Sequence, residues 1–86
     1  MGKYKLEIKK SAVKEIEDLP GKDMRAVLNR IFSLADNPRP YNCQKLSGRE
    51  QYRIRHGKYR ILYGIEDEKL IVYIVRVGHR KNVYEN

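Results

Sequence analysis

The stretch Arg76-Val77-Gly78-His79-Arg80-Lys81-Asn82-Val83-Tyr84 brings an imidazole, fixed positive charges and a phenol within nine residues. Cleaving RNA without a metal calls for such a set. A base must take the proton from the 2′-OH, positive charge must meet the phosphate as it gains negative character, and an acid must protonate the departing 5′-oxygen. The imidazole of His79 is a side chain that can serve as base or acid. Tyr84 can supply or orient a proton where neighbouring cations lower its pKa from about 10. Each also has a plainer reading, with Tyr84 packed against a sheet edge and His79 closing a strand.

The charge of the whole chain points the same way. Its 86 residues hold 19 Lys and Arg against 11 Asp and Glu, a net charge of +8, so an anionic partner is expected, nucleic acid first. Between Tyr41 and Ile65 the bases Lys45, Arg49, Arg53, Arg55, Lys58 and Arg60 face a single acid, Glu50. With Lys81 added, Lys45, Arg49, Arg53, Arg55 and Lys58 form the candidate RNA-binding set, and Arg60, His79, Arg80 and Tyr84 the candidate catalytic set. A period of two puts Arg53 and Arg55 on one face of a strand, opposite Tyr52 and Ile54. Across a hairpin, Arg60 can join that face together with Leu62, and Arg80 can extend the group from the last strand. A guanidinium fork suits phosphate oxygens better than a point-charge ammonium does. Strand arginines are often no more than the wet side of a sheet; here few acids stand among them. Lys3, Lys5, Lys9, Lys10 and Lys14 read as ordinary solvated surface.

The elements that must position these groups follow from periodicity. Lys3 to Lys9 alternates, with Tyr4, Leu6 and Ile8 on one side, as a half-buried strand does. Ser11 is placed to cap a short helix through Ala12, Val13, Ile16 and Leu19, which Pro20-Gly21 stops. Met24, Val27, Leu28, Ile31 and Ala35, widened by Phe32 and Leu34, predict a second helix that Asn37-Pro38-Arg39-Pro40 ends. A loop to about Glu50 follows. Gln51 to His56 and Tyr59 to Ile65 read as a hairpin around Gly57, and Leu70 to Val77 as a central strand covered on both faces. The expected fold class is α+β: an N-terminal strand, a helical hairpin and a three-stranded antiparallel meander, with the helices on one face of a four-stranded, mainly antiparallel sheet. One domain spanning residues 1–86 is expected.

Other classes are set aside on composition. Cys43 is the only cysteine and His56 and His79 the only histidines, too few for a zinc module, so no metal and no cofactor is expected. No apolar run approaches the length of a membrane span, and the N-terminus lacks the pattern of a signal peptide, so a cytoplasmic protein without a membrane partner is expected.

Leu46-Ser47-Gly48, Tyr52-Arg53-Ile54-Arg55 with Gly57-Lys58-Tyr59-Arg60-Ile61-Leu62-Tyr63, and Val77-Gly78-His79-Arg80-Lys81-Asn82-Val83-Tyr84 resemble the RelE family of toxins from toxin–antitoxin pairs, within the wider RelE/ParE superfamily. The resemblance runs over nearly the whole chain. It implies a small toxin that enters the ribosomal A site and cuts mRNA there by attack of the RNA's own 2′-OH, without a metal. It also implies a RelB-like antitoxin that holds the toxin inactive, and contact with operator DNA only through the toxin–antitoxin complex. By the same resemblance Arg53 and Arg55 match basic positions of the second strand, Arg60 a phosphate-binding arginine, Arg80 the arginine after the last strand and Tyr84 a tyrosine near the C-terminus. Well-studied members carry lysine at the second-strand pair. Arginine is practically never deprotonated, so Arg53 and Arg55 are expected to stabilise charge, leaving proton transfer to His79 or Tyr84. Two other readings stay open: a ParE-like toxin that inhibits DNA gyrase without nuclease chemistry, and a non-enzymatic RNA- or ribosome-binding module.

Overall fold

The computed structural model describes residues 3–46 and 51–79. The chain runs β1 (Lys5–Ile8), α1 (Lys10–Glu17), α2 (Gly21–Asp36), β2 (Gln44–Lys45), β3 (Gln51–His56), β4 (Tyr59–Glu66) and β5 (Ile71–His79). The strands form one sheet in the order β1-β5-β4-β3-β2. β1 runs parallel to β5, and the remaining neighbours are antiparallel. The expected α+β arrangement is therefore present with a fifth strand. β2 has only two residues, both exposed, too few for alternation to show in the sequence.

Both helices bury one stripe against the sheet, as amphipathic helices must. Ala12 and Ile16 of α1 and Val27, Ile31 and Leu34 of α2 pack on Tyr52, Ile54, Tyr59, Ile61, Tyr63, Val72, Ile74 and Val77. Phe32, expected within the stripe, is instead 54% exposed, because the α2 face that meets the sheet is set by Val27, Ile31 and Leu34. Ser11 does not cap α1. The Lys9 amide still donates to the Ile74 carbonyl, and the Lys9 carbonyl already accepts from Val13 at 2.9 Å. The helix thus begins at Lys10, one residue too early for Ser11 to stand outside it.

β5 also departs from expectation. It lies between β1 and β4, and β4 is the middle strand. Its buried residues Val72, Ile74 and Val77 share one face, while Ile71, Tyr73 and Val75 are only half-buried on the other, where none of the described residues forms a second layer. Its register against β4 slips at Leu62/Tyr63: Ile74 pairs with Tyr63 but Arg76 with Leu62, leaving Val75 as an extra residue. Such a bulge reverses which face later residues take. It occurs where β1 has ended, and α1 substitutes for the missing strand. Glu15 accepts the Val77 amide at 2.9 Å and the Arg76 guanidinium at 3.1 Å.

A second polar tie holds the loop after α2. Arg39 forks onto Asp67 at 2.8 and 3.1 Å, donates Nε–H to the Tyr52 hydroxyl at 3.2 Å and lies 5.3 Å from that ring's centre. Tyr4 donates to the same Asp67 carboxylate at 2.8 Å. Behind this group Tyr52 stacks on Tyr63, whose buried hydroxyl donates to the Pro38 carbonyl at 2.7 Å. The residue before β1, the α2 exit and the β4–β5 turn thereby meet at one carboxylate. The Arg39 guanidinium, and after it the Tyr4 hydroxyl, hold the Asp67 carboxyl at about 2, below its ordinary 3.8.

Both ties give measurable outcomes. Glu15→Ala strands an amide and a guanidinium at the bulge and should cost about 1–3 kcal/mol in urea unfolding, with Glu15→Gln recovering part of the loss; equal stability of wild type and Glu15→Ala would show that the bulge needs no acceptor. Because the Asp67 carboxyl titrates lower in the folded than in the unfolded chain, its contribution is present above the unfolded value near 3.8 and fades as pH falls towards 2. The stability advantage of wild type over Asp67→Asn, followed by pH-dependent unfolding, should hold at pH 6 and shrink steadily through pH 4 to pH 2.

Candidate nucleic-acid interface

The β3–β4 hairpin turns on Gly57-Lys58, with Gly57 at φ +59°, a conformation that glycine adopts without steric cost. This two-residue connection fixes the register: Arg55 stands opposite Arg60 and Arg53 opposite Leu62. Directly opposed strand residues share a face, so Arg53, Arg55 and Arg60 are gathered on the face the helices leave uncovered. Tyr52 and Ile54 are buried beneath the helices, as their alternation with the arginines predicts. Arg55 is exposed, Arg53 and Arg60 are half-buried, and the Arg60 Nε is itself buried. On the far side of Arg60 its β5 partner is Gly78, which puts no side chain over the guanidinium. Leu46, Leu62 and Val75 form a small apolar cluster on the same face, with Leu62 directly opposite Arg53.

β2 adds to this face. Gln44 pairs with Arg53, and Asn42, Gln44, Arg53 and Arg55 line a shallow, open pocket of about 290 Å³. Sequence reading missed Asn42 and Gln44 because the segment after Pro40 carries no periodic signal. Lys45, by contrast, pairs with Tyr52 and so belongs to the face opposite the arginines. Lys58 sits in the hairpin turn with its amine 5.7 Å from the centre of the Tyr59 ring.

His79 does not join the arginine face. It pairs with Tyr59, and the two rings meet edge to face at 6.3 Å and 75°. Tyr59 in turn donates its hydroxyl to Asp23 in the first turn of α2. That bond, with burial adding to it, raises the Tyr59 pKa. Arg60 and Gly78 lie one position along from Tyr59 and His79, so imidazole and guanidinium occupy the same end of the sheet on opposite faces. The cause is the bulge at Val75. Counting by twos from Ile74 would turn position 79 to the open face, and one extra residue turns it to the helices.

Arg49, Arg80, Lys81 and Tyr84 lie outside the described residues. Among the described residues no three His, Cys, Asp or Glu side chains come together as a metal-binding group, and no helix is long and apolar enough to cross a membrane.

The arrangement can therefore grip phosphates on one open face, with an amide-lined pocket at its β2 edge. Comparison with known proteins places the chain further. The family described as "ParE toxin of type II toxin-antitoxin system, parDE" matches residues 6–84. A putative toxin RelE1 of Methanocaldococcus jannaschii is 31% identical over 88 residues, covering 98% of this chain and 98% of that protein. The mRNA interferase toxin RelE of Escherichia coli is 27% identical over 81 residues, covering 91% of this chain and 84% of that protein. Among solved structures, a chain of the toxin–antitoxin complex RelBE2 from Mycobacterium tuberculosis superimposes with a TM-score of 0.80 at 31% identity, covering 90% of this chain and 98% of that chain. With a family match over nearly its entire length and relatives of the same size and fold, this chain belongs to the RelE/ParE superfamily of toxins of type II toxin–antitoxin systems.

Proposed function

We propose that this protein is a ribosome-dependent endoribonuclease that cuts mRNA in the A site and stops translation, and that a cognate RelB-like antitoxin neutralises it. The observation that carries this reading is the gathering of Arg53, Arg55 and Arg60 on the face the helices leave uncovered, with Arg55 and Arg60 directly opposed. Like charges opposed across a hairpin cost stability. A phosphodiester lying between them can be held by guanidinium forks from both strands, and its negative charge offsets that repulsion. Support also comes from the E. coli relative, named an mRNA interferase, and from the solved neighbour, a toxin–antitoxin complex. Contact with operator DNA is assigned to the antitoxin complex rather than to this chain alone.

In the reaction, the 2′-oxygen of one nucleotide attacks the adjacent phosphorus, and the 5′-oxygen of the next nucleotide leaves. The products are a 2′,3′-cyclic phosphate and a 5′-hydroxyl end. The proton of the 2′-OH goes to a base, and a proton returns to the departing oxygen. Arg60 and Arg80 meet the charge that accumulates on the phosphoryl oxygens, while Arg53 and Arg55, with Arg49, Lys58 and Lys81, hold the flanking strand; Lys45, paired with Tyr52 on the other face, takes no part. The seat of His79 beside Tyr59, on the helix side, weighs towards Tyr84 as the proton-transfer group. No step calls for a metal or a cofactor.

A ParE-like activity is the second reading, favoured by the description of the matching family. Adding purified protein to translating ribosomes and mapping RNA ends separates the two. A-site cuts bearing cyclic phosphates are expected, and intact mRNA alongside inhibited DNA gyrase would install the second reading instead. Arg60→Ala should slow cutting about 100- to 1000-fold, as loss of one charge-stabilising donor does. Tyr84→Phe should slow it by a similar or larger factor, and His79→Ala less than either. An unchanged rate in Tyr84→Phe would move proton transfer back to His79.

A further inference from the structure

We propose that the pocket at the β2 edge is a nucleotide subsite in which Gln44 reads a base, making it a specificity-determining residue for the RNA cleavage proposed above, on which this inference rests. The placement follows from register. Gln44 faces Arg53 across the β2–β3 pair, and carrying that register two residues further sets Asn42 opposite Arg55. Cys43, between them, packs against the main core, as a residue of opposite parity should. The chain from 42 to 44 therefore alternates like a strand, and its two amides share the arginine face.

The chemistry of the four lining side chains is unequal. Arg53 and Arg55 can only donate. Asn42 is fixed: its Oδ1 accepts from the Arg30 guanidinium at 2.8 Å, and since arginine has no acceptor, the assignment of that oxygen is forced. Its amide nitrogen is left as a donor. These three suit phosphate oxygens, which only accept. Gln44 is different, because its amide pairs one donor with one acceptor. A carbonyl oxygen turned towards a phosphate would be repelled, so a lone anion leaves half of that amide idle or opposed. A base edge offers a donor and an acceptor side by side and matches the amide in full. The pocket, about 290 Å³ and open, therefore fits one nucleotide of a single strand, with its phosphate on Arg53, Arg55 and Asn42 and its base on Gln44. Arg30 is a positioning residue that orients Asn42.

The test uses the full chain and trinucleotides that cannot be cut, 2′-O-methylated and uniform in base, one each of A, C, G and U, titrated with the side-chain amide resonances of Asn42 and Gln44 followed by NMR. Those resonances should shift, and affinities should spread across the four bases by about five- to tenfold, the lower part of the range for a bidentate amide–base contact. Gln44→Ala should shrink the spread below twofold with the rest of the spectrum unchanged. Arg55→Ala should weaken all four alike, and Arg30→Ala should weaken binding without removing the spread. No binding, equal affinities, or a spread that survives Gln44→Ala overturns the proposal. Mapping cut sites on ribosome-bound mRNA completes the test: Gln44→Ala should redistribute them. A spread that depends on Gln44 beside uncut mRNA would sustain the subsite and reject the nuclease, whereas cutting with an identical site pattern in Gln44→Ala would sustain the nuclease and reject the subsite.

Discussion

The extra residue at Val75 and the carboxylate that accommodates it decide how this small sheet is used. A strand alternates its side chains without exception, so one inserted residue exchanges inside for outside from that point on. In β5 the exchange turns Val77 into the core, sets Gly78 beside Arg60 and sends His79 to Tyr59. It is tolerated because β1 stops short and Glu15 takes up the amide and guanidinium that a neighbouring strand would otherwise meet. Without an acceptor there, a part-buried donor would be abandoned at the edge of the core, and a regular ladder would be the cheaper structure.

The protein uses arginine in two opposed ways. Arg39 is satisfied in every direction, with a fork onto Asp67, a bond to Tyr52 and a ring beneath it, and it pins the α2 exit to the β4–β5 turn. Arg55 and Arg60 are set against each other on the open face. The first arrangement consumes electrostatic energy to fix the chain. The second gathers like charge on one face, on strands whose opposite face carries the core residues Ile54, Tyr59 and Ile61. The rigidity of that core is what keeps the cations together despite their repulsion.

Much of this was legible in the residues alone, where alternation was long enough to read. Tyr52 and Ile54 against Arg53 and Arg55, the helical stripe from Val27 to Leu34, and the turn at Gly57 each repeat over enough positions to fix an element and a face. The failures share a physical cause, which is that one or two residues, too few for a period to show, decided them. One bulged valine set the face of His79, and one residue of helix start displaced Ser11. A two-residue strand, invisible to periodicity, brought Gln44 to Arg53. Lys45 reads as part of a basic cluster by proximity in sequence, yet a strand separates neighbours by face, and its pairing with Tyr52 puts it on the other side. The family resemblance rested on residue identities in the hairpin and the last strand, which do not depend on locating such irregularities.

The brevity of β2 has a consequence for how this scaffold can diversify. Asn42 and Gln44 are exposed, held by one short pairing and one bond to Arg30, and exposed positions of that kind change with little effect on stability, usually within about 0.5 kcal/mol. The arginines opposite them stand on strands whose other face is the core. Descendants of such a chain can exchange the side chains on the rim while inheriting the cationic floor intact, so recognition is free to drift faster than the architecture that supports it.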